Sequence, residues 1–511
     1  MEISKETKSK IYNKVVFVLE FIICIILAIS IFRIMYKYED SNYISKPNLL
    51  VAILSGIASL TIIIINKIKY KHKIEKLFAT FIIPVGALFV ILVPPYCTPD
   101  EAGHLFRAYD LSQGNIITPF GDKKEGDIYV PQETYDLAVS EELTYSKIHE
   151  SLQKETNYNN LIPAQTIFKT YFAINYIPGG IVFAMARLMN INFVLAAYII
   201  KIINFILFIL VGYFCIKKIP FGKLILAIYM FMPMIIQQAT SLSADAVINN
   251  LSILFIVYNL KLLNQDEDLK IRQIVTYVIF ATVTALCKYV YFPITFLSVL
   301  LINNKNLNKK KRNVLIIVSI LISIVSSVGW FIFTQNYVDV RKYIKEANVR
   351  PIEQAKFIMQ KPVTYLQTLH KTFDIYGAFY LFEFVGIHLG HSAHIEIPQI
   401  YILIMLVGLF LLVFTEKNTL ITKKWQKILM LIISIGLVLL VLTGLYLTWS
   451  PLYYDKVAGV QGRYFIPIFI IALLALTRKE KNLEIKNIET KYFFTYLIIN
   501  IITIIIMVGY Y

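Results

Sequence analysis

The sequence predicts an all-α polytopic integral membrane protein with about 13 transmembrane helices and no sizeable soluble domain. Two features carry this prediction. Of the 511 residues, 57% are hydrophobic and only 16% are charged, whereas a soluble domain carries about a quarter charged residues. Apolar runs of about 20 residues, long enough to cross a bilayer as a helix, also recur along the chain. The clearest runs are 15–35, 49–65, 77–93, 191–214, 314–333 and 428–447.

Lysine and arginine are concentrated in short segments between the apolar runs. These basic segments are 67–76, 217–223, 261–272, 305–312, 417–427 and 478–491. Because basic loops stay in the cytoplasm, we expect these segments and the N-terminus to be cytoplasmic. The net charge of +17 therefore indicates orientation in a membrane, and no nucleic-acid partner is predicted.

Two long polar stretches, 94–170 and 335–397, are predicted to lie on the outer side of the membrane. Within residues 94–163, twelve acidic residues face five basic ones, which is the opposite bias to the basic segments. The second stretch follows a span that starts at the basic 305–312 segment, so it should also lie outside.

These constraints place thirteen spans along the chain. They lie near 14–36, 48–66, 76–95, 193–214, 222–240, 246–263, 273–289, 290–303, 313–334, 398–415, 428–448, 464–477 and 492–510. Segment 171–189 is apolar but contains Pro178-Gly179-Gly180, and letting it cross would put 217–223 outside. We expect it to be re-entrant or to lie along the outer face. Span 290–303 is short for a membrane-crossing α-helix.

The most polar motif follows the third predicted span and contains Asp100, Glu101, His104 and Arg107. Adjacent carboxylates raise each other's proton affinity, so Asp100 or Glu101 could act as a general base or bind a metal ion. The alternative is that Asp100 caps a helix and Glu101 complements its dipole.

Three further polar clusters also fall at the predicted outer face. Asp245 begins a span, Lys288 and Tyr289 end one, and Gln461 and Arg463 precede one. Each cluster has an alternative explanation. Ser243 or Asp245 could simply cap a helix, Lys288 could snorkel to the interface, and the segment before Arg463 could be a stop at an aromatic belt. Because ionisable groups near a bilayer are costly unless they are paired or line a cavity, their convergence on one side predicts a site.

Three histidines in the second outer stretch, His388, His391 and His394, are spaced by three residues. On a helix this spacing would suit a metal ion, but the intervening leucine, glycine and serine favour a loop. No metal ligands are therefore assigned, and participation of a divalent metal ion as a cofactor is left open.

The segments PDEAGHLFRAYDLSQG (99–114), SLSAD (241–245), CKYVYFP (287–293) and GVQGRYFIP (459–467) occur in this order. Together they resemble the bacterial membrane-protein family named domain of unknown function 2142, over roughly residues 75–475. That family in turn is similar to the GT-C superfamily of glycosyltransferases. The resemblance implies a GT-C-like catalytic domain at 76–477, a two-helix N-terminal addition at 1–75, and a C-terminal loop and last helix at 478–511.

The resemblance also implies roles for individual residues. Asp100 would be the catalytic carboxylate, with Glu101 beside it. The residues implied to bind the substrate or the lipid phosphate are His104, Arg107, Asp245, Lys288, Tyr289, Gln461 and Arg463. In GT-C enzymes an acidic loop usually follows the first span, whereas here it follows the third, because the two added spans 14–36 and 48–66 come first.

The implied function is transfer of a sugar from a polyprenyl-phosphate donor to a cell-surface glycan, or to another envelope acceptor such as a protein. The expected location is the bacterial plasma membrane, with the active site outside. The alternative is a transporter, flippase or polymerase of lipid-linked glycans. A flippase should carry polar residues within its spans, and Glu20 and Lys201 are the main candidates.

Overall fold

The computed structural model describes residues 5–118, 128–140, 143–164, 166–335, 348–390, 394–480 and 485–511. Its α-helices in chain order are α1 (Lys5–Ser41), α2 (Lys46–Lys69), α3 (Ile74–Leu92), α4 (Glu101–Ser112), α5 (Gln132–Ala138), α6 (Tyr145–Gln153), α7 (Ile177–Met189), α8 (Phe193–Lys218), α9 (Lys223–Tyr229), α10 (Pro233–Ala239), α11 (Asp245–Leu263), α12 (Ile271–Cys287), α13 (Lys309–Gln335), α14 (Pro351–Gln360), α15 (Pro362–Val385), α16 (Gln399–Leu412), α17 (Lys424–Thr448), α18 (Ile466–Leu476) and α19 (Ile488–Tyr510). The 3-10 helices are η1 (Ile167–Thr170), η2 (Ala173–Tyr176), η3 (Tyr289–Asn303) and η4 (Gly462–Phe465), and the strands are β1 (Ile128–Pro131), β2 (Leu161–Ala164), β3 (His388–Leu389) and β4 (Ile395–Glu396).

The protein is a multi-pass helical membrane protein. Among the described residues, eight helices are long and apolar enough to cross a bilayer: α1, α2, α3, α8, α11, α13, α17 and α19. Helices α3 and α11 are mostly buried and form the centre of the bundle, whereas α1, α2 and α13 are mostly exposed along their length. The other five predicted spans are helical too, but they are short or broken, so the number thirteen stays a prediction.

Two of the predicted spans differ from a continuous α-helix. Segment 222–240 is broken into α9 and α10 because Pro233 starts a new helix after Met232, whose backbone is extended. Segment 290–303 belongs to η3, a 3-10 helix of 15 residues. Since a 3-10 helix rises about 2.0 Å per residue, η3 reaches about 30 Å, against about 22 Å for an α-helix of that length. The short span is therefore long enough to cross the hydrocarbon core.

The contacts between loops define two ends of the helix bundle, one with the basic segments and one with the polar stretches. At one end, which we call the basic face, Lys311 pairs with Asp268 at 2.7 Å and Glu416 accepts the Leu224 N–H at 2.7 Å. At the opposite end, which we call the site face, the Tyr145 hydroxyl donates to the carbonyl at the end of α3 (2.8 Å). The predicted cytoplasmic segments in the described residues fall at the basic face.

Segment 171–189 begins and ends at the site face. Just before α7, the Tyr176 hydroxyl contacts His104 of α4 (2.8 Å). Just after it, Asn192 donates to the Ser151 carbonyl of α6 (2.8 Å). Helix α7 packs along α4, with Gly179 directly against Ala108; that the segment does not cross the membrane stays a prediction.

The two polar stretches contain helices and short strands. The first contains α4, α5 and α6 together with an antiparallel β1–β2 pair in which Ile128 faces Ala164. The second contains the 24-residue helix α15, which follows α14 and is partly apolar. Tyr365 near its start bonds Thr443 of α17 (2.7 Å), and its end reaches Gly462 of η4. Helix α15 therefore lies across the site face.

Candidate functional site

An ion network at the site face is centred on Arg463 of η4. Its guanidinium pairs with the Asp100 carboxylate through Nη2 and with Asp245 Oδ2 through Nη1 at 3.2 Å. Its Nε donates to Gln461 Oε1 at 2.5 Å. The side chains of Arg463 and Asp245 are only 3% and 8% exposed, whereas that of Asp100 is 38% exposed. Asp100 is therefore the member of the network that solvent or a substrate can reach.

Lys288 completes the network from the opposite side of Asp245. Its Nζ lies 3.6 Å from Asp245 Oδ1, and the rings of Tyr464 and Tyr291 lie 4.3 and 5.2 Å from it. This ammonium group makes no hydrogen bond within the described residues, although its side chain is only 11% exposed. The interpretation of Lys288 as a snorkelling lysine is therefore wrong. The two carboxylates and two cations of the network balance in charge. Removing any one of them would leave an uncompensated charge in a largely buried site, which is destabilising.

The backbone aims Asp100 away from its own helix. Asp100 occupies the N-cap position of α4, but its φ is +66° and its side chain forms no capping hydrogen bond. A left-handed conformation at a residue other than glycine costs of order 1–3 kcal/mol and persists only where its surroundings hold it. The capping interpretation of the Asp100 carboxylate is wrong, because that carboxylate reaches Arg463.

Asp245 is also freed from capping. Helix α11 begins at Asp245, and the hydroxyl of Ser243 accepts the Asp245 N–H at 3.2 Å. Ser243 thus satisfies a backbone donor at the helix start, while the Asp245 carboxylate turns to Arg463 and Lys288.

The position of Arg463 depends on close contact between η4 and α15. A Cβ atom added at Gly462 would lie 2.3 Å from the Phe384 backbone nitrogen, so a glycine is required there. Glu383 of α15 accepts the Gly462 N–H at 2.6 Å. Sequence reasoning assigned no role to Glu383; its one signal was an acidic residue inside the otherwise apolar end of α15.

The structure does not place Glu101 in the network. Its carboxylate, 1% exposed, accepts the backbone N–H of Leu242 at 2.7 Å and that of Thr98 at 3.1 Å. Burial raises the pKa of Glu101 above its ordinary value, although these hydrogen bonds oppose the rise. Glu101 therefore ties the Asp100 loop to the loop before Asp245, and the prediction that it acts beside Asp100 gains no geometric support.

His104 lies in an aromatic wall beside the network. Its Nδ1 is 2.8 Å from the Tyr176 hydroxyl, and its ring stacks on Phe168 with centroids 3.8 Å apart. Burial lowers the pKa of His104 to about 3, so the imidazole is neutral at physiological pH. A neutral imidazole can pack against other rings and form hydrogen bonds, but it carries no positive charge with which to bind a phosphate.

Arg107 is buried away from the network. It pairs with Asp110 at 2.9 Å and donates to the carbonyls of Asn115 and Ile116 at 2.9 and 2.6 Å. All of these partners are in its own segment, so the structure gives Arg107 a role in closing the turn after α4. The prediction that it binds substrate is not supported by its contacts.

Tyr289 and Gln461 flank the network in different ways. The Tyr289 ring packs against Phe331 of α13 at 5.2 Å, and the structure shows no hydrogen bond from it to the charged residues in the described part of the chain. Gln461 orients Arg463 by accepting a hydrogen bond from the Arg463 Nε. Tyr291 and Tyr464, which sequence reasoning left without a role, are joined by a hydrogen bond from the Tyr291 hydroxyl to the Tyr464 carbonyl (2.7 Å).

The carboxylates do not form a metal site of ordinary composition. Within the described residues, no group of three or more His, Cys, Asp or Glu side chains is placed to hold a metal ion. Asp100 and Asp245 face cations instead. Of the three spaced histidines, His391 lies outside the described residues, and His388 is in strand β3, which removes the helical spacing that would have brought them together.

The two charged candidates within the spans are held in different surroundings. Lys201 of α8 donates its ammonium group to the Val93 carbonyl, at the site-face end of α3. Glu20 of α1 is fully buried, and its carboxyl oxygens find no hydrogen-bond partner within the described residues. One helical turn further along α1, Cys24 packs with Ile83 and Ala87 of α3.

Comparison with known proteins supports the membrane class and the family. A family model described as "Predicted membrane protein (DUF2142)" matches residues 83–472, about three quarters of the 511-residue chain. No curated protein and no solved structure matches. The matched range contains every residue of the ion network and begins after α1 and α2. The family assignment made from the motifs is confirmed: the chain belongs to the DUF2142 family of predicted membrane proteins.

Proposed function

We propose that the protein is a membrane glycosyltransferase of the GT-C type. It would transfer a sugar from a polyprenyl-phosphate donor to a cell-surface glycan or another envelope acceptor at the outer side of the bacterial plasma membrane. The observation that supports this most is the ion network itself: a partly exposed carboxylate, Asp100, pairs with the buried Arg463, and a second buried cation, Lys288, joins them through Asp245. A group-transfer reaction at a phosphorylated carbon needs both a base and a charge to stabilise the leaving phosphate.

The donor would place its phosphate between the two cations. Lys288 has hydrogen-bonding capacity to spare, and a guanidinium binds phosphate through two parallel N–H groups. A phosphate reaching Arg463 competes with Asp100, which is the more exposed of the two carboxylates that Arg463 holds. Donor binding would therefore release Asp100 from its ion pair and leave it free to accept a proton.

The chemical step then balances as follows. The acceptor hydroxyl oxygen forms a bond to the anomeric carbon of the sugar, and its proton passes to the Asp100 carboxylate. The bond from the anomeric carbon to the phosphate oxygen breaks, and its electron pair leaves with polyprenyl phosphate. Arg463 and Lys288 stabilise the negative charge that remains on this phosphate. Asp245 would hold both cations in place throughout, and no metal ion is required in this scheme.

The aromatic side chains around the network suit a sugar. Tyr464 and Tyr291 border Lys288, and Tyr176 borders His104. Rings combine an apolar face with a polar edge, which matches the alternating apolar and hydroxyl-bearing surfaces of a pyranose.

A transporter or flippase of lipid-linked glycans is the second candidate, because Glu20 is a buried carboxyl without a partner in the described part of the chain. An intramembrane ionisable group is a functional hypothesis by default. A polymerase of the same glycans would share the donor site and differ only in its acceptor.

The test uses the full-length protein in vesicles that contain lipid-linked sugars, supplied with envelope glycan as the acceptor, both extracted from the parent bacterium. We expect wild-type protein to release polyprenyl phosphate, and Asp100→Asn to slow the release at least about 100-fold. The matched control is Asp136→Asn, which removes an exposed carboxylate from α5 of the same polar stretch and should leave the rate unchanged. Movement of the donor across the bilayer without release of polyprenyl phosphate would favour the flippase.

A further inference from the structure

A groove of about 460 Å³ opens between α16 and α19 on the side of the bundle. One wall is formed by apolar side chains of α16, among them Ile404, Val407 and Leu411, which are all more than 40% exposed. The groove lies outside the ion network and takes no part in the proposed reaction.

The other wall is formed by two tyrosine rings of α19 that present no free hydroxyl to the groove. Tyr492 donates to the Gly408 carbonyl at 2.9 Å, and Tyr496 donates to the Met405 carbonyl at 2.5 Å. Because Gly408 has no side chain, the rings lie close to the backbone of α16; a Cβ atom there would be 3.3 Å from the Tyr496 hydroxyl. The interior of the groove is therefore apolar.

The end of the groove at the basic face is polar. Lys491 and Thr495 line it, four residues apart and so on one side of α19. Both are exposed, and the salt bridges of the described residues do not include Lys491. Lys491 lies in the first turn of α19, where the helix dipole disfavours a cation. The helix dipole therefore does not favour a lysine at this position.

We propose that this groove binds an anionic glycerophospholipid from the leaflet at the basic face. One acyl chain would lie in the apolar groove, Lys491 would contact the headgroup phosphate, and Thr495 would donate its hydroxyl to a phosphate or ester oxygen. A flexible chain fits a narrow cleft between two helices, and basic pockets between transmembrane helices on the cytoplasmic side favour anionic headgroups. The polar end of the groove lies at the basic face, where the headgroup would be, and its apolar interior extends towards the middle of the membrane, where the acyl chain would be.

The experiment is native mass spectrometry of the full-length protein after delipidation, titrated with phosphatidylglycerol and with phosphatidylcholine carrying the same acyl chains. We expect wild-type protein to prefer phosphatidylglycerol about five-fold, the effect of one basic residue near a headgroup. Lys491→Gln should abolish this preference. Val407→Phe, which fills the groove from an exposed position, should weaken the binding of both lipids.

The matched control is Lys424→Gln. Lys424 is also an exposed lysine in the first turn of a helix at the basic face, but it does not line the groove. We expect this variant to keep the preference for phosphatidylglycerol. Equal binding of the two lipids by wild-type protein, or the same loss in Lys424→Gln as in Lys491→Gln, would overturn the proposal.

Discussion

The ion network at the site face and the ion pairs between side chains at the basic face differ in how far they are buried. At the site face, Arg463 and Asp245 are 3% and 8% exposed and are paired with each other. At the basic face, Lys270 and Glu267 form a pair that is 72% and 73% exposed. An exposed pair contributes at most about 1 kcal/mol, whereas each ion taken out of water costs several kcal/mol before its partners offset it.

The comparison teaches what kind of role each set of charges has. At the basic face the Lys270–Glu267 and Lys311–Asp268 pairs are exposed, so they cost little free energy to form and contribute little to stability. The ion network at the site face instead holds Arg463 and Asp245 where burial of a charge costs the most free energy, and of its two carboxylates only Asp100 is within reach of solvent. We infer that folding alone does not account for the network at the site face.

The largest expected effect comes from removing the central cation. Arg463→Met leaves Asp100 and Asp245 without the guanidinium between them, and breaking a buried ion pair in this way costs about 3–5 kcal/mol. We expect a corresponding loss in the free energy of unfolding, measured by chemical denaturation in detergent, together with loss of transfer activity. A variant with wild-type stability would show that the network is not energetically coupled.

Removing the Glu101 carboxylate, which ties the Asp100 loop to the loop before Asp245, should have a smaller effect on stability. Glu101→Gln replaces one acceptor oxygen by an amide N–H₂ that faces a backbone donor, which costs about 1–3 kcal/mol. Glu133→Gln, at an exposed carboxylate of α5, should change the stability by less than about 0.5 kcal/mol. If Glu101→Gln abolished transfer while unfolding like the wild type, Glu101 would belong to the chemistry after all.

The neutral His104 predicts a pH dependence of stability. Its pKa is lowered by burial from an ordinary value of 6.5 to about 3, so between these values the unfolded chain binds one more proton than the folded one. Stability from this residue is therefore lost as pH falls from about 6.5 towards about 3, by up to about 1.4 kcal/mol per pH unit. In His104→Gln this part of the slope should disappear, as unfolding measured at pH 7, 6 and 5 would show. A slope identical to that of the wild type would contradict a buried neutral imidazole.

The smallest effect is expected at the basic face. Lys311→Gln removes the pair with Asp268, whose side chains are 47% and 41% exposed. Such pairs contribute about 0–1 kcal/mol, so the free energy of unfolding should fall by no more than that, and transfer activity should be unchanged. A loss as large as that of Arg463→Met would remove the difference between the two faces.

Part of the site could be predicted from the sequence because membrane topology orders residues that are far apart in the chain. Asp100 and Arg463 are 363 residues apart, yet alternation of the spans assigns both to one face. The same reasoning brought Asp245 and Lys288 to that face. Which residues touch there could not be predicted, because topology fixes depth in the membrane but not the rotation of each helix.

Local backbone geometry explains what the sequence analysis missed. Asp100 and Glu101 look equivalent in the sequence, and only the left-handed backbone at Asp100 separates their directions. The break before Pro233 and the 3-10 winding of η3 were not predicted, because apolar composition alone does not distinguish helix types. Glu383 was passed over because the hydrogen bond that its carboxylate accepts from the backbone N–H of Gly462 depends on how α15 lies across the site face.

The most direct test of the central claim compares surface-glycan composition in a deletion strain complemented with wild-type protein, Asp100→Asn or Asp136→Asn at equal expression. We predict that Asp100→Asn lacks the same sugar or branch as the uncomplemented deletion strain, whereas Asp136→Asn restores it. Full restoration of the glycan by Asp100→Asn would contradict the assignment of Asp100 as the base of a sugar-transfer reaction.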